Sequence, residues 1–281
     1  MQHYGDRSSK VESRIVIPVV VGSSPIGHPS FPRAPRRSSA AFEPIARDAV
    51  ARIEASARGV LGSSDTEFLH QLRVSLRRLR AALRAYQDVL PGKERRRLIR
   101  ALRRLSPVLG AARDWDVVLA RHEVSAGARA RARSAREAAL AMVASEEFSR
   151  ALAMARALKA KGAGEPAQQF AARALERAHR KAMKRAKGID WDDAARRHEV
   201  RIRVKRLRYT CELFASAFPR RATASYISAL KALQTILGEL NDLATARRLV
   251  GARADEAPLL RRLDGAWSRF ARRRAFWRAL A

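Results

Sequence analysis

From Phe42 onward, apolar residues recur at spacings of three and four. Leu69, Leu72, Leu76, Leu79, Leu83, Tyr86 and Leu90 fall on one face of a 3.6-residue helix, and Val200, Val204, Leu207, Cys211 and Phe214 repeat the plan. Ala, Leu, Arg and Glu dominate this stretch, aromatics are few, and Gly or Pro fall mainly between the periodic segments, so the body is expected to be all-α. In the first half the pattern predicts helices at about 42 to 58, 66 to 90, 93 to 108 and 114 to 123. Pro91-Gly92 and Pro219 are expected to stop the long second helix of each half, because proline lacks a backbone donor and disfavours helix in the preceding residue. Asp65 and Asp193 stand where a carboxylate can cap free N–H groups at a helix start.

One offset organises the body. Adding 128 to a residue number carries Phe42 to Phe170, Asp65 to Asp193, His70 to His198, Pro91 to Pro219, Arg103 to Lys231, Leu109 to Leu237, Gly110 to Gly238 and Asp114 to Asp242, with no insertion. Two repeat units, 42–121 and 170–249, therefore suggest two pseudo-symmetric antiparallel helical bundles. Residues 122–169 form a connector between them, helical at about 126 to 160, and a last helix is expected over 255–280. Residues 1–41 carry Ser, Pro, Gly and Arg without a period and are read as a disordered basic tail.

Charge narrows the partner. The 281 residues contain 58 Lys and Arg against 27 Asp and Glu, a formal net charge of +31, which attracts polyanions in a salt-dependent way: nucleic acid, polyphosphate, or an anionic surface. Nine of these cations are Lys and 49 are Arg, whose planar fork of donors matches phosphate oxygens bidentately. A GC-rich genome would also raise Arg, though it does not explain where the arginines sit. The single cysteine, Cys211, excludes an internal disulfide framework and a multi-cysteine zinc site, and fits a reducing cytoplasm. The apolar run Ile15 to Val21 is interrupted by Pro18 and is far short of the roughly 20 residues that span a bilayer, so no membrane insertion is expected.

The cations are concentrated on two matching segments. His70, Arg73, Arg77, Arg78, Leu79 and Arg80 align with His198, Arg201, Lys205, Arg206, Leu207 and Arg208. On a helix, His70, Arg73, Arg77, Arg80 and Arg84 line one edge beside the apolar stripe, as do His198, Arg201, Lys205 and Arg208. Glu212 stands where Arg84 has its counterpart and would weaken or end the second row. Like charges at i,i+4 destabilise a helix by some tenths of a kcal/mol per pair, which a bound chain of phosphates would offset. A solvated charged face is the alternative for one such helix; the same row twice in register favours a site.

These helices, each followed forty residues after its histidine by Leu109-Gly110 or Leu237-Gly238, resemble the CHAD family, named for histidines in an α-helical domain and known for binding inorganic polyphosphate. The resemblance covers about 42 to 250. Leu109-Gly110 continues through Arg113-Asp114 to Asp116 in the family's pattern, whereas the second turn has Asn241 in place of the arginine. The resemblance implies two four-helix bundles about a pseudo-twofold axis, with a basic central cavity that receives polyphosphate. By position it points to His70, Arg73, Arg77, Arg80, His198, Arg201, Lys205 and Arg208. Arg103 and Lys231 join them through the repeat. Arg78 and Arg206, turned roughly 100° from the row, Arg84, and the charge-selected Arg177 and Lys184 form a second rank.

Other motifs are weaker. Asp114, Asp116 and Asp242 could hold a metal but are expected to pair with and orient arginines. Gly110 and Gly238 are expected to end helices. His122-Glu123 and His198-Glu199 begin a zincin motif whose second histidine is absent from both. There is no Walker A loop and no Glu-x-Glu-x-Lys signature of the triphosphate tunnel enzymes. Binding without catalysis, cofactor or metal is therefore expected, with polyphosphate as ligand, a granule-targeting role compatible with it, and nonspecific nucleic-acid binding as the alternative. The histidines either contact phosphate or organise the arginines. Contact would tighten binding as pH falls through about 6.5.

Overall fold

The computed structural model describes residues 37–162 and 164–280, side chains at 279 and 280 excepted. The disordered tail expected over 1–41 thus falls outside the described residues as far as residue 36; its last residues do not belong to it, because α1 already begins at Ser38. Among the described residues nine α-helices run in the order α1 Ser38–Gly62, α2 Thr66–Ala85, α3 Gly92–Leu119, α4 Ala126–Ala144, α5 Glu146–Ala157, α6 Ala167–Ala186, α7 Ala194–Leu213, α8 Arg220–Val250 and α9 Ala257–Ala271. No strand occurs among the described residues, and the protein is all-helical.

The two stripes read from the sequence make the core. All seven residues of the first and all five of the second are buried. Asp65 accepts from the Glu67 N–H at 2.8 Å and Asp193 from the Arg196 N–H at 3.0 Å, so both carboxylates cap as expected. α2 and α7 then run for twenty residues each, with Thr66 and Ala194 128 positions apart and Ala85 and Leu213 likewise. α2 packs between α1 and α3, α7 between α6 and α8, and the halves meet where α2 touches α7 and α3 touches α8.

Tyr86 ends α2 in the middle of an aromatic cluster, with ring centroids 5.4 Å from Phe42, 5.0 Å from Phe170 and 5.6 Å from Phe214. This packing turns the chain, and the structure departs from two expectations. α2 and α7 stop about five residues before Pro91 and Pro219, and each proline instead begins the next helix. Residues 93 to 119, expected as two helices, form one: neither Gly110 nor Gly238 adopts a positive φ, and both lie inside long helices.

The connector is two helices, broken at Ser145, whose hydroxyl accepts from the Phe148 N–H. It is tied back by Lys161 N–H to Val89 O at 2.8 Å, and Ser38 N–H to Glu165 O joins the starts of α1 and α6. The last helix ends at Ala271 rather than reaching 280. Three consecutive arginines, Arg272 to Arg274, follow it, and then Phe276 and Trp277 fold back onto Tyr226. Trp115, Trp267 and Trp277 are buried packing residues, as expected. Among the described residues no helix is long and apolar enough to cross a membrane.

The Tyr86 hydroxyl is buried without a hydrogen-bond partner. Leaving a buried donor unpaired costs about 1–3 kcal/mol, so Tyr86→Phe should stabilise the protein by about 1 kcal/mol or more in urea unfolding followed by helicity. Phe214→Ala, which empties the same cluster, should destabilise it by about 3–5 kcal/mol.

Candidate functional site

Between α2, α3, α7 and α8 lies a cavity of about 580 Å³. Because the apolar stripes of α2 and α7 are committed to the core, the adjacent edges of both helices face this space. His70, Arg73, Arg77, Arg80 and Arg84 come from α2, and His198, Arg201, Lys205 and Arg206 from α7. α3 adds Arg103, Arg113 and Asp114, Arg121 follows from just beyond its end, and α8 adds Asn241 and Asp242. The lining thus holds ten Arg or Lys and two Asp.

Each arginine of the α2 row is aimed by one neighbour. Arg73 donates to Leu109 O at 2.7 Å, Arg77 to the Tyr209 hydroxyl at 3.3 Å, Arg80 to Ser106 Oγ at 2.8 Å and Arg84 to Arg80 O at 2.9 Å. Gly110 has its role here. A Cβ at this position would stand 3.1 Å from Arg73 Nη1, so glycine lets the guanidinium reach the α3 backbone. At Gly238 a Cβ would meet nothing within 4 Å, and this glycine borders the cavity.

The carboxylates pair with arginines, as the sequence led us to expect. Asp114 of α3 meets Arg248 of α8, and Asp242 of α8 meets Arg121, both at 3.4 Å, while Asp116 lies 3.8 Å from Arg113. Burial raises the pKa of Asp114 despite Arg73, Arg248 and Arg201, and that of Asp116 despite Arg113. Among the described residues no three His, Cys, Asp or Glu are grouped to hold a metal.

The family model described as the CHAD domain matches residues 44–251, most of the chain. The chain belongs to the CHAD domain family. It is similar to the crystal structure of the CHAD domain from the plant Ricinus communis, at 30% identity and a TM-score of 0.64, covering 86% of this chain and 90% of that one. PptA from Streptomyces chartreusis, at 16% identity, a TM-score of 0.57 and 84% and 98% coverage, shares the fold. The uncharacterized protein Rv2226 of Mycobacterium tuberculosis is 30% identical in an alignment of 207 residues that covers 64% of this chain and 39% of that protein, so the match spans well under half of the relative's length.

In this CHAD domain not every residue selected from the sequence reaches the cavity. Arg208 is absent from the lining: it donates to Glu212 at 2.7 Å and lies over the Tyr209 ring. Arg78 lies 3.7 Å from the same buried Glu212, so this glutamate ends the second row as its position implied. Lys231 and Lys184 are exposed and line neither this cavity nor its neighbour, because the faces of α8 and α6 that carry them turn to solvent. Arg206, placed in the second rank, does line the cavity. Arg177 lines a neighbouring cavity and pairs with Asp88 at 3.0 Å. Arg121 and Tyr209 were missed. Breaking α3 at Gly110 hid the spacing that aligns 113, 117 and 121, and Tyr209 corresponds to Ala81 in the repeat, so no signal marked it.

The electrostatics are those of a site short of negative charge. Burial, then Arg201, Arg77 and Arg73, lower the Lys205 pKa from 10.5 to about 6. Burial and Arg113 lower that of His70 to about 4, and burial and Arg201 lower that of His198 although Asn241 hydrogen-bonds it. Arg73 and Arg80 are lowered to about 10 by burial and Arg77, so they remain charged at neutral pH. Arg201 is lowered too, and its Nε is buried without a partner.

Between about pH 6 and 10.5 the unfolded chain binds a proton at Lys205 that the folded state sheds, so stability falls as pH falls through that window and the cost is complete below about 6. Lys205→Met should therefore be more stable than the wild type, by most near pH 6 and by little near pH 10. Urea unfolding across that range checks this; a pH-independent difference would contradict it.

Proposed function

We propose that this CHAD domain binds inorganic polyphosphate in the cavity between α2, α3, α7 and α8, and holds it without chemistry or a cofactor of its own. The observation that carries this reading is the lining itself, ten Arg or Lys against two Asp, each Asp already paired with an arginine. Guanidinium groups whose remaining donors are free of partners match phosphate oxygens closely. The family resemblance points the same way. Arg73, Arg77 and Arg80 from α2 and Arg201, Lys205 and Arg206 from α7 would hold the chain from two sides, with Arg103 and Arg113 closing over it. The histidines, kept neutral by burial and by the neighbouring cations, organise the arginines and become charged when phosphate binds.

Two features favour polyphosphate over nucleic acid. A duplex is far too thick to enter about 580 Å³, whereas an unbranched phosphate chain is thin. Single strands are bound by stacking bases on aromatic rings, and the only Phe, Tyr or Trp in the lining is Tyr209, whose hydroxyl is engaged by Arg77. Such binding suits a protein of the cytoplasm, targeted to polyphosphate granules.

In a competition titration at physiological salt, polyphosphate should displace a labelled polyphosphate probe at far lower phosphate concentration than duplex DNA or single-stranded RNA does. Equal displacement per phosphate would defeat the proposal. Reversing charge in Arg73→Glu with Arg201→Glu should weaken binding by about a hundredfold with helicity intact, whereas Arg33→Glu with Arg36→Glu should cost little. Bound phosphates raise the pKa values of Lys205, His70 and His198, so binding should take up protons and tighten between about pH 8 and 6. Calorimetric titration in buffers of different ionisation enthalpy reads that uptake directly.

A further inference from the structure

A second cavity of about 500 Å³ adjoins the first, between the C-terminal end of α2, the first half of α3, α6 and α7. Nine Arg or Lys line it and no carboxylate does. Arg84, Arg103 and Arg206 belong to both linings, so the two spaces share a cationic wall rather than lying on separate faces. Crowding at that wall is severe: Arg84 is lowered to about 9 by burial and by Arg206, Arg80, Arg103 and Arg203. Beyond the wall, Arg95 has its Nε buried without a hydrogen-bond partner, and Arg203 and Lys181 face the same space. Of the nine, Arg177 has a carboxylate neighbour, Asp88, which lies outside the lining.

The other end of the site is built differently. Glu212 stands 128 positions after Arg84, is buried, and holds Arg208 at 2.7 Å and Arg78 at 3.7 Å. The α7 row therefore loses its last cation to an ion pair, while the α2 row runs on through Arg84 into the second cavity. At this end the two rows, alike in length and register, carry opposite charge, Arg84 on α2 and Glu212 on α7.

We propose that the second cavity continues the anion site, so that a phosphate chain held in the central cavity runs out over Arg84, Arg103 and Arg206 and along this side alone. The proposal rests on the reading of the central cavity as a polyphosphate site and adds a direction and a length dependence to it. A short oligophosphate is held by the central cavity; a long chain gains a second set of contacts on α3, α6 and α7.

The test compares tripolyphosphate with long-chain polyphosphate on the full chain. Arg96→Glu with Arg203→Glu alters residues that line only the second cavity. This variant should lose about tenfold or more in affinity for the long chain and stay within about twofold for tripolyphosphate. The charge-matched variant Lys184→Glu with Lys231→Glu, at exposed positions outside both cavities, should stay within about twofold for both. Equal losses in the two variants, or equal losses for short and long chains, would overturn the continuation and leave the central site standing. If the wild type bound neither ligand, the reading of the central cavity itself would fall. Helicity by circular dichroism confirms that each variant is folded.

Discussion

Ten Arg and Lys side chains share one cavity with two Asp, and the repulsion among them is the constraint around which the rest of the structure is arranged. Two unit charges 4 Å apart interact at about 4 kcal/mol in a protein surface environment. Four such cations follow one another along α2 alone. What keeps them together is apolar: the leucine stripe of α2, the valine and leucine stripe of α7, and the cluster of Phe42, Tyr86, Phe170 and Phe214. Burial of those faces leaves the cationic edges no direction but toward each other. Burial first, and then this repulsion, lower the pKa of Lys205 to about 6 and that of His70 to about 4, and negative charge entering the cavity would relieve the repulsion.

The positions that aim the cations are small and local. Gly110 admits one guanidinium to the α3 backbone, Ser106 holds another, and Tyr209 holds a third. The reciprocal pairs Asp114–Arg248 and Asp242–Arg121 link α3 to α8 across the mouth, and being partly exposed they contribute orientation more than stability. Glu212 has the opposite effect. It pairs with Arg208 and Arg78 at one end and so ends the cationic row of α7 where that of α2 runs on.

Much of this was legible in the sequence because two periods coincide there. A 3.6-residue stripe marks which face of each helix is buried, and the 128-residue offset marks the same stripe twice, so the apolar residues of α2 and α7 and the cationic edge beside them could be read before any coordinates. The helix caps Asp65 and Asp193 and the role of Glu212 were legible for the same reason. What could not be read depended on tertiary approach. A glycine inside a helix looks like a glycine that ends one until the arginine that needs its bare Cα is in place. Proline at 91 looked like the end of α2, but a tyrosine packed among three phenylalanines ends that helix earlier. Arg206 and Tyr209 lie off the row on a helical wheel, and Lys231, on a flanking helix, was selected through the repeat alone; the packing of α7 and α8 decides which of them meets the cavity.

On the proposed function, the cavity stores electrostatic repulsion that a bound phosphate chain would relieve. Its most direct measurement is the thermal unfolding midpoint of the full chain as a function of sodium chloride, with and without polyphosphate. Screening of like charges should raise the midpoint of the free protein as salt increases from low ionic strength, and polyphosphate at low salt should raise it well beyond the best salt value. A midpoint indifferent to both salt and polyphosphate would show that the cations are not under strain and that the cavity is not a phosphate site.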